Sequence, residues 1–219
     1  MEPISLETVL TARKNALIIV DVQNEFCHHD GSFARSGMDM SVIGEMLPPL
    51  TRLINAAHKC SVPVVFIRNV EDSATDSEAW MLRPDGDERT ANGMICRRGS
   101  WGAEFYGVEP LPDDIVVEKH RFSAFVNTRL DTVLRARKIE TLVLSGVSSN
   151  VCVESTARHA VMLDYHVVLA EDACASWDRA AHEMTMQNIR RFFGNVTDAG
   201  TIARLWGACP GAADLKRNG

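Results

Sequence analysis

The chain is defined first by what it lacks. No apolar stretch of its 219 residues approaches the about 20 that a membrane-spanning helix requires, so a membrane protein is not expected. No basic run or stripe relieves a net charge of -6, which argues against nucleic acid as a partner. The opening MEPISLETVL has no basic patch followed by an apolar core, so no secretory signal is predicted and a cytoplasmic protein is expected. No CxxC pair occurs, which removes the zinc knuckle and the thioredoxin-type redox motif. The six cysteines (Cys27, Cys60, Cys96, Cys152, Cys174, Cys209) are widely and irregularly spaced, and a reducing compartment would keep them as thiols. Most are read as small buried hydrophobes. There is no internal repeat, and no linker divides the chain.

What is present suits one α/β domain of residues 1–219, with a core from about 15 to about 206. Hydrophobic residues reach 46%, enough to fill a real interior. Short β-branched runs recur at 16–20, 62–67, 115–117, 141–144 and 166–170, and a last short one at 195–197. Runs apolar on both faces are what a parallel sheet covered by helices needs. Helical spacing fills the gaps at 41–60, despite Pro48 and Pro49, at 130–137, at 153–161 and at 180–193. The alternation predicts a single-domain, doubly wound parallel sheet of about six strands with helices on both faces. Residues 71–112 break the rhythm, being polar and rich in Gly and Pro; a loop region that long is usually functional, often as a wall or lid.

In such sheets ligands bind beyond the carboxyl ends of the strands. Asp21 follows the first run, Asn69 the second, Lys119 the third and Cys152 the fourth, so an acid, a lysine and a cysteine converge on one edge. Cys152 follows three N-cap residue types, Ser148, Ser149 and Asn150, where a helix should begin. A thiol in a first helical turn is favoured as thiolate, and the N–H groups of that turn can hold an oxyanion. It can equally be a small residue at a crowded strand-to-helix junction. Asp21 can simply cap a turn, and Lys119 can be a solvated lysine with a buried stem.

Three stretches, LIIVDVQNEF (17–26), VEKHRFSAF (117–125) and SGVSSNVCVEST (145–156), resemble in order and spacing the signature of the isochorismatase-like cysteine hydrolases. The resemblance implies a triad of Asp21, Lys119 and Cys152, a cis peptide between Val147 and Ser148, and an oxyanion hole from the N–H groups of Ser148 and Cys152. The chain looks most like the ureidoacrylate amidohydrolases, and biuret and triuret hydrolases are similar too; Phe122 replaces a tyrosine common among them. The implied activity is hydrolysis of a non-peptide C–N bond in a small amide or ureide through a thioester. Neither cofactor nor metal is expected, because the Asp-x-His motif of nicotinamidases is absent from Ile67–Glu71. A homo-oligomer, dimer or tetramer, is the family's habit.

Around the triad, Phe26, Trp101, Phe122 and Phe125 are candidate apolar walls, with Phe125 equally a core residue. Gln23 and Asn69 are candidate donors to the substrate, and Gln187 is another if its helix end faces the site. Arg97, Arg98 and Arg121 are candidate carboxylate clamps. Two other chemistries fit the same fold. A vinyl ether hydrolase would not need Cys152, and a redox thiol protein would need a resolving partner, for which Cys174 is the nearby candidate. A non-catalytic scaffold would be expected to have lost part of the triad.

Overall fold

A computed structural model describes residues 4–82 and 95–208. Cys209 and positions 83–94 of the long irregular segment lie outside the described residues. The six β-branched runs form one sheet: β1 (Asn15–Val20), β2 (Val64–Asn69), β3 (Ile115–Lys119), β4 (Thr141–Val147), β5 (His166–Ala175) and β6 (Asn195–Thr197). Their order is β3-β2-β1-β4-β5-β6, and every pairing is parallel.

Helices cover both faces because each strand alternates its side chains between them. Leu17 and Ile19 point to one side, packed with Phe66 and Val143 against Leu50 and Leu53 of α4 (Ser41–Lys59) and Ile202 of α9 (Ala199–Gly207). Ile18 and Val20 point to the other, with Leu134 of α6 (Leu130–Ala136) and Ala157 of α7 (Glu154–Met162). The short α1 (Leu6–Thr11) adds Val9 and Leu10 to the first layer. Pro48 and Pro49 lie within α4, which the periodicity anticipated as one helix; its buried stripe of Ile43, Met46, Leu50, Leu53 and Ala57 outweighs the lost backbone bonds. Among the described residues, no helix is long and apolar enough to cross a membrane.

Two boundaries differ from the sequence reading. β5 does not stop at Ala170 but runs to Ala175, because its register against β4 slips between Leu144 and Gly146 and lets Cys174 and Ala175 pair again. Glu171 and Asp172 therefore sit inside the strand. The helix expected from Val153 is preceded by a π turn over Ser149–Val153, and the one expected over 180–193 divides into α8 (Arg179–Asn188) and a second π turn, Ile189–Phe193.

The strand order reverses between β1 and β4, and there the two central strands pack with almost no clearance. Gly146 makes this possible: its φ is +102°, and a Cβ at that position would lie 2.2 Å from the Val20 carbonyl oxygen. The crevice beyond their carboxyl ends is the expected ligand position.

Candidate active site

Each member of the predicted triad arrives from a different strand. Asp21 follows β1 with φ 53°, an unusual conformation for a residue other than Gly, and its N–H donates to the Ile67 carbonyl (3.0 Å). Lys119 ends β3. Cys152 lies in the π turn after β4, just past the cis peptide between Val147 and Ser148. The Lys119 Nζ is 2.7 Å from Asp21 Oδ2, donates to the Arg121 carbonyl at 3.1 Å and lies 3.5 Å from Cys152 Sγ. Asp21 and Lys119 are each only 1% exposed, so the pair is dry and Lys119 is no snorkelling surface residue.

Burial pushes the Asp21 carboxyl above its ordinary value, against the opposing pull of the Lys119 ammonium and of a contact with the Cys152 thiol. Burial also disfavours the Lys119 charge, yet Asp21 and Cys152 outweigh it and hold its pKa above the ordinary one. The cluster thus grips protons tightly. The lysine stays cationic, while the carboxylate is a better base than one in water.

The turn that carries Cys152 is pinned from several sides. Val151 and Val153 both donate backbone N–H groups to the Ser148 carbonyl (3.1 Å each), the second being the five-residue step of a π turn. Ser148 Oγ and Ser176 Oγ donate to Asn150 Oδ1 (2.6 and 2.9 Å), and Ser149 Oγ meets His182 Nδ1 at 3.0 Å. The buried Thr156 hydroxyl donates to the Cys152 carbonyl (2.7 Å) and accepts from the Ala124 N–H (3.0 Å), tying the thiol's turn to the loop after Lys119. This five-residue π turn is thus held by small polar side chains, among which Thr156 reaches back to its backbone.

A cavity opens over these three residues. Of the other predicted site residues, Asn69, Phe26, Phe122 and Ser148 line it. Phe33 of α3 (Ser32–Arg35) lies edge-on to Phe26 of α2 (Asn24–Cys27), ring centroids 5.2 Å apart, and packs 4.5 Å from Trp177. Trp80 of α5 (Glu78–Met81) leans on Phe122, with centroids 4.9 Å apart. Glu71, 4% exposed, accepts a hydrogen bond from Trp80 Nε1 (3.3 Å). Phe33, Glu71, Trp80, Ile95 and Trp177 all line the cavity and were not expected there from sequence, where Trp80 reads as a candidate interface aromatic. Three belong to the long irregular segment, whose length was the signal. Trp177 follows β5 and becomes visible only once that strand is seen to extend to Ala175.

Four predicted substrate contacts are placed elsewhere. Gln23 is fully buried: its amide donates to the carbonyls of Asn69 and Ala103 (2.9 Å each) and accepts from the Asn69 N–H (2.8 Å), so it fastens the wall and has nothing left for a ligand. Trp101 is 46% exposed and lies edge-on to His28, outside the cavity lining. Phe125 packs in the core between His159 and Tyr165. Gln187 is exposed on α8, whose rotation buries Thr185 and Met186 instead. Of the three arginines, Arg97 is taken by Asp76, and Arg98 by Asp72 and Glu118; only Arg121 reaches the cavity.

The second strand's carboxyl end gives the cavity Asn69 and Glu71 rather than a pair of metal ligands. Among the described residues, three side chains of metal-ligating type cluster at His28, His29 and Asp30, and none of them lines the cavity. All five described cysteines are free thiols. Cys174 is buried with its thiol turned to the Leu144 carbonyl (3.7 Å), and burial pushes its pKa up, away from the thiolate a resolving partner needs.

A family model described as the isochorismatase domain matches residues 15–201. The ureidoacrylate amidohydrolase RutB of Methylobacterium radiotolerans is 35% identical, over 98% of this chain and 87% of its own length. The crystal structure of a cysteine hydrolase from Pseudomonas syringae superposes with a TM-score of 0.79 at 28% identity, covering 89% of this chain and 93% of that one. N-carbamoylsarcosine amidase from Thermoplasma acidophilum gives a TM-score of 0.69 at 28% identity, over 85% and 96%.

Proposed function

The chain belongs to the isochorismatase family, and from that premise we propose that it is a cysteine-dependent amidohydrolase cleaving a C–N bond of a small amide or ureide. The observation that carries the reading is the buried Lys119 ammonium set between the Asp21 carboxylate and the Cys152 sulfur. A dry carboxylate with a raised pKa can take a thiol proton, and the adjacent cation stabilises the thiolate that results. The relatives' names, ureidoacrylate amidohydrolase and N-carbamoylsarcosine amidase, point to carbamoyl-bearing substrates.

In this mechanism Asp21 removes the Cys152 proton while Lys119 holds the charges together. The thiolate attacks the carbonyl carbon, and the oxyanion rests on the N–H groups of Ser148 and Cys152. Asp21 returns its proton to the departing nitrogen, and ammonia or an amine leaves behind a thioester or carbamoyl thioester. Water, deprotonated by Asp21, then hydrolyses that intermediate and frees the thiol. Asn69 and Glu71 offer a donor and an acceptor to the amide nitrogen end, while the ring wall takes the flat body of the substrate.

The test is ammonia release from a panel of small ureides and amides, before and after iodoacetamide treatment. Release that alkylation abolishes supports the reading. Release that survives alkylation refutes the thiol mechanism and favours chemistry without Cys152.

A further inference from the structure

A second cavity, of about 390 Å³, opens at the amino edge of the sheet, away from the edge that carries Asp21, Lys119 and Cys152. Asn15, the first residue of β1, stands in its lining, whereas Asp21 follows the last. The volume is that of an ordinary small-molecule site. Its apolar part is Leu10, Val62, Pro63, Ile139 and Trp206. Trp206 Nε1 donates to Asn15 Oδ1 (3.3 Å), so the indole brings no unpaired donor to the lining. The rest of the lining carries three cations, Arg13, Lys14 and Arg137, and no acid. Glu140 takes a donor of Arg13, on Nη1 at 2.9 Å, but the Arg13 Nε–H is buried and meets no acceptor among the described residues. Among the same residues, the side chains of Lys14 and Arg137 form neither an ion pair nor a hydrogen bond. The backbone beneath two of the cations is fixed. Asn15 Nδ2 donates to the Leu10 and Arg13 carbonyls (3.2 and 2.6 Å), and the Lys14 carbonyl accepts the N–H groups of Glu140 and Thr141 (2.9 and 3.1 Å).

A buried N–H without an acceptor is uncommon and calls for a physical reason. An oxyanion supplies one, since it can accept from Arg13 Nε and is drawn by two cations that no carboxylate neutralises. Apolar surface beside that charge favours a body that leaves water together with it. We infer that this cavity binds a small amphipathic anion: a carboxylate, sulfonate or phosphate carried on an apolar or aromatic body, at a site separate from the catalytic one. Cys60, a half-buried free thiol in the same lining, is a built-in reporter of occupancy.

The experiment gives the full chain two fluorescent probes that differ only in a sulfonate, 1-anilinonaphthalene-8-sulfonate and N-phenyl-1-naphthylamine. The sulfonate should bind about tenfold more tightly, the lower end of what hydrogen bonds to charged groups contribute, because these cations face water in part. Lys14→Gln combined with Arg137→Gln should bring the two affinities within about threefold by weakening the sulfonate alone. Equal binding of both probes to the wild type, or an equal loss of both in the variant, overturns the inference. The place of binding is read by brief iodoacetamide treatment and peptide mapping: the sulfonate should slow alkylation of Cys60 by about threefold or more. An unprotected Cys60 overturns the inference, and protection confined to Cys152 assigns the probe to the catalytic cavity instead. Both replaced side chains are exposed, so the variant is expected to fold. Should it not, the two wild-type measurements, probe preference and Cys60 protection, decide by themselves.

Discussion

Replacing Lys119 by Met tests the physics of the site without reference to any substrate. The side chain is 1% exposed, and its ammonium lies 2.7 Å from Asp21 Oδ2. Removing one partner of a buried ion pair typically costs about 3–5 kcal/mol, because the other charge stays in a dry place. Asp21 has an escape that limits this cost, since it can take up a proton. Burial already raises its pKa, and loss of the opposing lysine raises it further. A carboxyl raised in the folded state contributes stability that is fully present below its unfolded value, near 3.8, and is lost as pH rises through the folded value. Lys119→Met should therefore be destabilised by about 3 kcal/mol or more at pH 8 and by clearly less at pH 5. Urea denaturation at the two pH values measures this. Asp21→Asn, added to Lys119→Met, removes the stranded charge and should recover most of the loss at pH 8. A loss equal at both pH values, or no recovery in the double variant, would refute the account of the cluster as a coupled, buried proton store.

Cys152→Ser should retain substrate binding, seen by calorimetry, while ammonia release falls to the detection limit; turnover near that of the wild type would end the thiol mechanism. Gln23→Leu, which strips three hydrogen bonds from a sealed position, should cost about 3 kcal/mol in chemical denaturation, each lost bond leaving a buried group unpaired. An unchanged denaturation midpoint with a raised KM would instead restore Gln23 as a substrate contact. Gly146→Ala should abolish soluble expression or lower stability by more than about 4 kcal/mol, since its Cβ would overlap the Val20 carbonyl; a well-folded variant would mean that β1 and β4 can part.

Much of this architecture was legible because parallel strands buried on both faces leave a plain trace. Ile18-Ile19-Val20 and Leu142-Val143-Leu144 are apolar at every position, and the sheet buries every one of them. The meeting of Asp21, Lys119 and Cys152 was legible for a related reason. Asp21 and Lys119 are charged residues at the abrupt ends of such runs, and the edge rule collects whatever stands there. β5 was misjudged at its end because Glu171 and Asp172 interrupt the apolar run, whereas the strand absorbs them in a register slip that no composition announces. Helix limits near the thiol failed similarly, since one extra residue in a turn changes which carbonyl is reached but leaves the hydrophobic spacing almost intact.

The edge rule locates a residue but not the direction of its side chain, and that separates the predicted residues that line the cavity from those that do not. Gln23 and Asp21 lie two residues apart beyond β1, yet the backbone turns at Asp21, with φ 53°, and sends the glutamine amide back under the wall towards Asn69 and Ala103. Trp101 and Trp80 belong to the same irregular segment, and only Trp80 is drawn over the cavity, held there by Glu71 at its ring nitrogen and by Arg121 on its face. Neither partner is near Trp80 in sequence: Glu71 is nine residues away and Arg121 follows β3. A wall built from contacts between distant strand ends exists only once the sheet has brought those ends together. That is why the charged residues and the thiol at the strand ends could be read along the chain while most of the cavity wall beside them required the fold.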